Sequence, residues 1–275
     1  MTALALAVLG RGLVDLNEPV VRADDDALAR GRAVFETLRV YGGRPFRLHE
    51  HLARLASSAT RVGLPAPPLD ELERLATLAL DAAATPEATL RFYWTPGAPR
   101  GDPTGLVLVG QVPGWIEPSR ATGQKLVSLF HPRRSVPWLL PATKSTSYAV
   151  NMAAEAEAKR RGADDAVFVD AEDIVLEGPV TNIWWRRGET LHTPSLDLGI
   201  LAGETRATLL ELAAGCGYRV VEDVAPLADL AAADEIFTSS SVREVMPVVA
   251  LDGQAVARGP AAGALQAALR RLATL

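Results

Sequence analysis

Two α/β domains with mixed sheets are expected from this chain, and three observations lead there. Hairpin-linked strand patterns stand next to helical ones along the whole sequence, which argues against a doubly wound parallel fold. A length of 275 residues suits one large domain or two ordinary ones. The run Pro113-Gly114-Trp115-Ile116-Glu117-Pro118 reads as a linker. The expected organisation is therefore a small N-terminal α/β domain at 1–113, a linker at 114–122 and a larger C-terminal domain at 123–275.

The elements follow in order. An apolar run from Leu4 to Leu9 reads as the first strand. Val34 to Val40 is a second; it turns at Gly42-Gly43 and returns through Pro45 to Leu48. A helix from about Glu50 carries Leu52, Leu55, Ala59 and Val62 at helical spacing and stops at Gly63. Asp70 is the expected N-cap of a helix running to Ala84, and strands Thr89 to Trp94 and Leu106 to Val112 flank a Pro/Gly loop. The second half opens with a strand from Lys125 to Phe130 and a helix from Ser147 to Arg161, capped by Ser147. Its solvent face would carry the i,i+4 pairs Glu155/Lys159 and Glu157/Arg161. Strands are expected at 166–169, 174–176, 182–185 and 190–192, then a helix from Glu204 to Ala214. Strands at 218–221 and 235–238 flank a short helix near Asp229.

Composition removes several functions. With 28 Lys+Arg against 33 Asp+Glu the net charge is −5, so no basic surface calls for nucleic acid. No apolar run approaches a membrane span, and the start lacks a signal-peptide pattern, so a cytoplasmic protein is expected. A single cysteine, Cys216, excludes an internal disulfide and a Cys-cluster metal site. His49 and His51 are two apart at a helix start and do not share a face as metal ligands would, so both read as surface or capping histidines. Asp24-Asp25-Asp26 reads as a solvated loop. GxSxG, P-loop and GxGxxG motifs are absent.

Three features stand out. Lys144 lies in Pro141-Ala142-Thr143-Lys144-Ser145-Thr146-Ser147-Tyr148, between a strand and a helix and among small hydroxyls. A Schiff-base lysine must be partly desolvated and reach a carbonyl carbon; a solvated loop lysine is the other reading. Glu177 ends one apolar run and Asn182 opens the next. Such a carboxylate can partner a pyridinium nitrogen, or be a surface group at a strand end. Gly203-Glu204-Thr205 opens a helix and Ser239-Ser240-Ser241 follows a strand, together an anion site suited to phosphate or simply two loops.

The series of pieces in order resembles the class IV aminotransferases, the fold-type IV pyridoxal-phosphate enzymes. It runs from Phe35-Glu36-Thr37 and Leu48-His49-Glu50-His51-Leu52-Ala53-Arg54-Leu55 through Lys144 and Glu177-Gly178 with Asn182. It continues through Thr193-Pro194 and Ile200-Leu201-Ala202-Gly203-Glu204-Thr205-Arg206 to Ala233-Asp234-Glu235-Ile236-Phe237 and Met246-Pro247-Val248. The resemblance implies pyridoxal 5'-phosphate as cofactor, the C-terminal domain as its main holder, and a homodimer. Lys144 matches the Schiff-base lysine, Glu177 the carboxylate at the pyridine nitrogen, and Arg54 the phosphate-binding arginine of the first domain. Thr205, Ser240 and Ser241 match phosphate-side hydroxyls, Thr181 and Glu204 flank the same motifs, and Tyr148 resembles the phenol at the cofactor's O3′. Glu204 departs from the usual Ile or Val; beside a dianionic phosphate it must point away or pair with an arginine such as Arg206.

For the substrate, the resemblance points to a transaminase exchanging an amino group between a D-amino acid, with (R)-amines as further donors, and a 2-oxo acid. Arg100, in the Pro/Gly loop, resembles the carboxylate-binding arginine of D-amino-acid aminotransferases and aminodeoxychorismate lyases; Arg39 and Arg243 are lesser candidates. Thr37 occurs where the lyases carry threonine, so a 4-amino-4-deoxychorismate lyase is the competing reading. A branched-chain L-amino-acid aminotransferase and a non-catalytic relative are further alternatives.

Overall fold

The computed structural model describes residues 2–99, 101–130 and 140–274. The chain divides into two compact units. One comprises residues up to Pro113 together with Thr143–Tyr148, and the other comprises the remaining described residues.

In the first unit, β1 (Ala3–Val8), β2 (Gly12–Val14), β3 (Val34–Tyr41), β4 (Arg44–Pro45), β5 (Ala88–Thr95) and β6 (Thr104–Gly110) form one sheet in the order β2-β1-β6-β5-β3-β4. Every pairing in it is antiparallel. Alternation along β3 decides what each face holds. Val34, Leu38 and Val40 turn into the core, where α2 (Leu48–Arg61) and α3 (Leu69–Ala83) bury Leu52, Leu55, Ala59, Leu72, Leu75 and Ala79. Each fully buried leucine contributes about 2 kcal/mol. The opposite face carries Phe35, Thr37 and Arg39, set against Tyr93, Arg91 and Thr89 of β5.

Two expectations change here. α3 has Pro68 at its N-cap position and no side-chain cap; Asp70 lies inside its first turn, where a carboxylate favours the helix dipole. Nor is the acidic run a solvated loop throughout. Asp25 is fully buried, accepting from Ala27 N at 2.8 Å as N-cap of the short α1 (Asp26–Arg30) and from Thr95 Oγ1 at 2.6 Å.

The second unit carries α4 (Ile116–Thr122), β7 (Gln124–Phe130), α5 (Ala149–Arg160), β8 (Asp165–Val169), β9 (Asn182–Arg187) and β10 (Thr190–Pro194). α6 (Glu204–Ala213), β11 (Arg219–Asp223), α7 (Leu227–Ala231), β12 (Glu235–Ser240), β13 (Glu244–Leu251), β14 (Gln254–Ala255) and α8 (Ala261–Ala273) follow. Its sheet is mixed, in the order β11-β10-β9-β12-β13-β7-β8 with β14 beside β13; β10–β11, β13–β7 and β7–β8 are parallel. β9 is buried on both faces. Ile183 and Trp185 enter one apolar cluster, while Trp184 stacks on Phe237 at 5.9 Å and donates to Ser239 Oγ at 2.9 Å.

The stretch 114–122 is not a linker: α4 buries Ile116, and Arg120 donates to the Val245 and Arg243 carbonyls. Residues 174–176 make isolated bridges only. β13 and α8 are not foreshadowed by the pattern, β13 because Pro247 interrupts a run otherwise strand-like. On α5, Glu157 does pair with Arg161, whereas Glu155 faces Arg243 at 3.5 Å instead of Lys159. No helix among the described residues is long and apolar enough to cross a membrane.

Replacing Asp25 by Ala strips α1 of its cap and leaves the Thr95 hydroxyl without its carboxylate. Urea unfolding is expected to report a loss of about 2 kcal/mol; a variant as stable as the wild type would show that the buried carboxylate contributes nothing.

Candidate active site

Lys144 is seated by the first unit. Residues 144–146 run antiparallel to the start of β3. Phe35 N donates to Lys144 O at 3.0 Å, Thr146 N donates to Ala33 O at 2.9 Å, and Ser145 bridges Val34. Lys144 N donates to Ser58 Oγ at 3.3 Å, while Thr146 Oγ1 and Ser147 Oγ both donate to the Gly31 carbonyl. Ser147 thus serves this tether, and α5 begins only at Ala149, two residues later. Gly31 has φ +66°, and a side chain there would start 2.8 Å from Ser147 Oγ, so only glycine fits. The Lys144 ammonium stands 4.5 Å from the centre of the Phe35 ring, against which Tyr148 packs edge-on at 5.3 Å. Half-buried among rings, Lys144 is not a solvated loop lysine.

The Arg54 side chain is held by a buried acid. Glu36 is fully buried and receives Arg54 Nε at 2.6 Å, Arg54 Nη2 at 2.8 Å and His51 Nδ1 at 2.7 Å. Burial alone pushes the Glu36 carboxyl up, but the hydrogen bonds and charge of Arg54, followed by those of His51, outweigh it and hold it at about 2. His51 is therefore a core residue and not a surface one; its i,i+3 spacing to Arg54 on α2 places both over the same carboxylate. His49, in contrast, is exposed.

In the second unit Glu177 accepts from Leu201 N at 3.1 and 3.2 Å, and from Asn182 Nδ2 at 3.4 Å. Asn182 also donates to Leu201 O at 3.0 Å. Asn182 leaves no room at Gly203: a methyl there would stand 2.1 Å from its Oδ1. α6 begins on this glycine with no side-chain cap, and Thr205 lies buried in its first turn. Arg206 does not neutralise Glu204. It is buried and committed to Glu222 at 2.5 Å and the Pro194 carbonyl at 2.9 Å. Ser240 ends β12, its hydroxyl accepting from Arg243 N at 3.4 Å, and Ser241 begins the turn to β13.

The substrate candidates separate. Arg39 is buried, paired with Glu87 at 3.2 Å and stacked over Tyr41 at 5.2 Å. Arg243 is bound to the buried Asp165 and lies over Trp115, so each of the two guanidiniums is engaged in an ion pair within its own unit. Arg100 lies outside the described residues. Sequence reasoning missed Arg91, which stands directly across from Thr37. Its Nη1 is 3.4 Å from Tyr93 Oη, and its buried Nε finds no hydrogen-bond partner among the described residues. Tyr93 in turn stacks on Phe35, the ring beneath Lys144. Thr37 and Arg91 both lie in expected strands, but their pairing across those strands is a matter of register that no local spacing gives.

Residues 33–251 match the family described as amino-transferase class IV. The chain belongs to the class IV aminotransferases. It is 35% identical over 260 residues to the bifunctional aminodeoxychorismate lyase / D-amino acid transaminase of Mycobacterium tuberculosis, covering 89% of this chain and 90% of that one. It is 31% identical to a putative branched-chain-amino-acid aminotransferase of Methanocaldococcus jannaschii, with 88% and 86% covered. The PLP-bound structure of a hypothetical aminotransferase from Mycobacterium tuberculosis superposes with a TM-score of 0.93 at 33% identity, covering 98% and 99%. Class IV aminotransferases depend on pyridoxal 5'-phosphate, and this chain is an enzyme of that kind, with the two-sheet α/β fold of fold type IV.

The side chains present fit that cofactor. The first unit offers an amine over an aromatic ring and a guanidinium held by a buried carboxylate; the second offers a carboxylate held by Leu201 N and Asn182. The N-terminal amides of α6 are not taken by a side-chain cap, and the buried Thr181 and Thr238 hydroxyls find no partner among the described residues.

Glu36 gives this class IV enzyme an acid-sensitive element. Ionised Glu36 stabilises the fold above its ordinary value of 4.5, and the contribution is lost as pH falls towards about 2, a span worth on the order of 3 kcal/mol. Glu36→Gln is expected to be less stable than wild type at pH 7 by about that amount, with the gap narrowing towards pH 2. Parallel acid-unfolding curves for the two proteins would contradict the assignment.

Proposed function

We propose that this enzyme is a transaminase that moves an amino group between a D-amino acid, with (R)-amines as further donors, and a 2-oxo acid. The observation that carries the reading is the line Lys144–Phe35–Tyr93–Arg91 on one face of the first sheet. It puts an amine and a guanidinium whose buried Nε lacks a partner on one face of the sheet, the two group types an amino acid's α-amino and carboxylate groups require.

When bound, pyridoxal 5'-phosphate supplies an electron sink for the pair left at the substrate's Cα. Lys144 Nζ removes the Cα proton and returns it at C4′ of the cofactor, its reach set by the backbone pairing of 144–146 with β3. Glu177, oriented by Leu201 N and Asn182, keeps a proton on the pyridine nitrogen. Arg54, held by Glu36, binds the phosphate with Thr205, Ser240 and Ser241; Thr181 and the backbone of Glu204 line the same group. Tyr148 orients O3′, and Phe35 shields Lys144 Nζ from water. Arg91 and Arg100 receive the substrate carboxylate. A homodimer in the cytoplasm completes the reading, with light scattering as the measure of the first.

A second reading is favoured by Thr37. Its hydroxyl shares the substrate-side face with Arg91, and in an aminodeoxychorismate lyase the same Lys144 proton transfer would be followed by elimination to pyruvate and 4-aminobenzoate.

The purified protein is expected to be yellow, absorbing near ~410–420 nm and losing that band on borohydride reduction. Lys144→Ala should lower turnover by about a thousandfold or more; a colourless protein or an active Lys144→Ala variant would sink the reading.

Comparing kcat/KM for D-alanine, L-leucine, (R)-1-phenylethylamine and aminodeoxychorismate decides the substrate. D-alanine should lead, and Arg91→Ala should cost it about tenfold to a thousandfold while sparing the amine, which has no carboxylate to lose. Preference for L-leucine or aminodeoxychorismate would reassign the enzyme to the branched-chain or lyase activity.

A further inference from the structure

The turn that carries Ser241 closes on an unusual residue. β12 and β13 pair in register as far as Ser240 opposite Glu244, leaving 241–243 as a three-residue hairpin loop. A left-handed residue where such a loop closes is commonly glycine. Here the left-handed residue is Glu244, the first of β13 and directly after the loop, at φ +57° and 1% exposed.

The carboxylate explains why glutamate stands where glycine would be relaxed. Arg120 of α4 lies 2.9 Å from it and Arg270 of α8 2.5 Å, and Gln266 Nε2 donates to it at 2.7 Å. The same groups grip the backbone on either side. Arg120 Nη2 donates to Arg243 O at 2.8 Å and its Nε to Val245 O at 3.1 Å, while Val245 N donates to Gln266 Oε1 at 3.0 Å. Arg243 is fastened separately by the buried Asp165, by Glu155 and by the Trp115 ring. Two helices thus hold a strained turn from both sides, far more than a surface hairpin needs for its own stability. Backbone strain of this kind persists only where its surroundings over-determine it.

We infer that Glu244, clamped by Arg120 and Arg270, is a positioning residue that holds the Ser240–Arg243 turn in the shape that binds the cofactor's phosphate. The inference rests on the reading of Ser240 and Ser241 as phosphate ligands. Glu244 acts on the phosphate only through the turn, so its loss should weaken ligands that carry a phosphate and leave the rest of the pocket alone.

The test measures binding to the enzyme stripped of cofactor, by absorbance, for pyridoxal 5'-phosphate and for pyridoxal, which lacks the phosphate. Glu244→Gln keeps the shape but removes the charge; Glu244→Gly relaxes the backbone but removes the clamp. Both should bind pyridoxal phosphate about tenfold more weakly, the scale of one charge-assisted contact, with pyridoxal changed less than about twofold. Arg120→Gln, which acts from α4, should show the same signature and serves if Glu244 variants fold poorly. Combining Glu244→Gln with Ser241→Ala should cost less than the two losses together, because they act on one contact.

Phosphate discrimination unchanged in Glu244→Gly and Arg120→Gln, or both ligands weakened equally, would overturn the inference. If Ser240→Ala and Ser241→Ala lose the discrimination while the clamp variants keep it, the inference fails and the phosphate assignment stands. If the serine variants keep it too, the assignment of the turn fails and takes the inference with it.

Discussion

Two backbone hydrogen bonds fix where Lys144 stands. Phe35 N to Lys144 O and Ala33 O to Thr146 N attach a segment from the middle of the chain to the start of β3, more than a hundred residues earlier. The attachment is possible because β4 pairs only with the far end of β3, at Val40 and Tyr41, which leaves the edge at residues 33–35 open. An unpaired strand edge is a row of unmet donors and acceptors, and 144–146 meets them. Everything else at Lys144 follows from this: the ring of Phe35 beneath the ammonium, the edge of Tyr148, and the Gly31 carbonyl that takes two hydroxyls.

Two buried glutamates, Glu36 and Glu244, solve one electrostatic problem in the same way. A carboxylate removed from water is costly unless charged donors surround it. Glu36 has Arg54 and His51; Glu244 has Arg120, Arg270 and Gln266. Each exchanges desolvation cost for a guanidinium with a defined orientation, and preorganised orientation is what the binding of a fixed anion rewards. Isolated arginines on the surface would keep their rotamer freedom and bind less selectively.

Much of this was legible in the chain because it is local. The helical spacing of Leu52, Leu55 and Ala59, the Gly42-Gly43 hairpin, and the alternation of β3 and β5 depend on neighbours a few residues away. The order of Lys144, Glu177-Gly178, Asn182 and Gly203-Glu204-Thr205 identified the family for the same reason, since each piece is a short motif at a strand end or helix start. The errors share a cause. The 114–122 stretch has linker composition but becomes α4, where Ile116 is buried, Glu117 pairs with Arg270 of α8 and Arg120 with Glu244 and the Val245 carbonyl of β13.

By itself, then, the sequence determined the two-sheet α/β class, the family and the residue types able to do its chemistry, because periodicity and short motifs are properties of neighbouring residues. Only the tertiary structure decided which of those residues are at liberty. It committed Arg39 to Glu87 and Arg243 to Asp165, placed Arg91 across from Thr37, and turned His51 from the surface to Glu36. Ion-pair partners lie tens of residues apart along the chain, and their choice follows from strand register and helix packing, which bring together side chains that no local spacing relates.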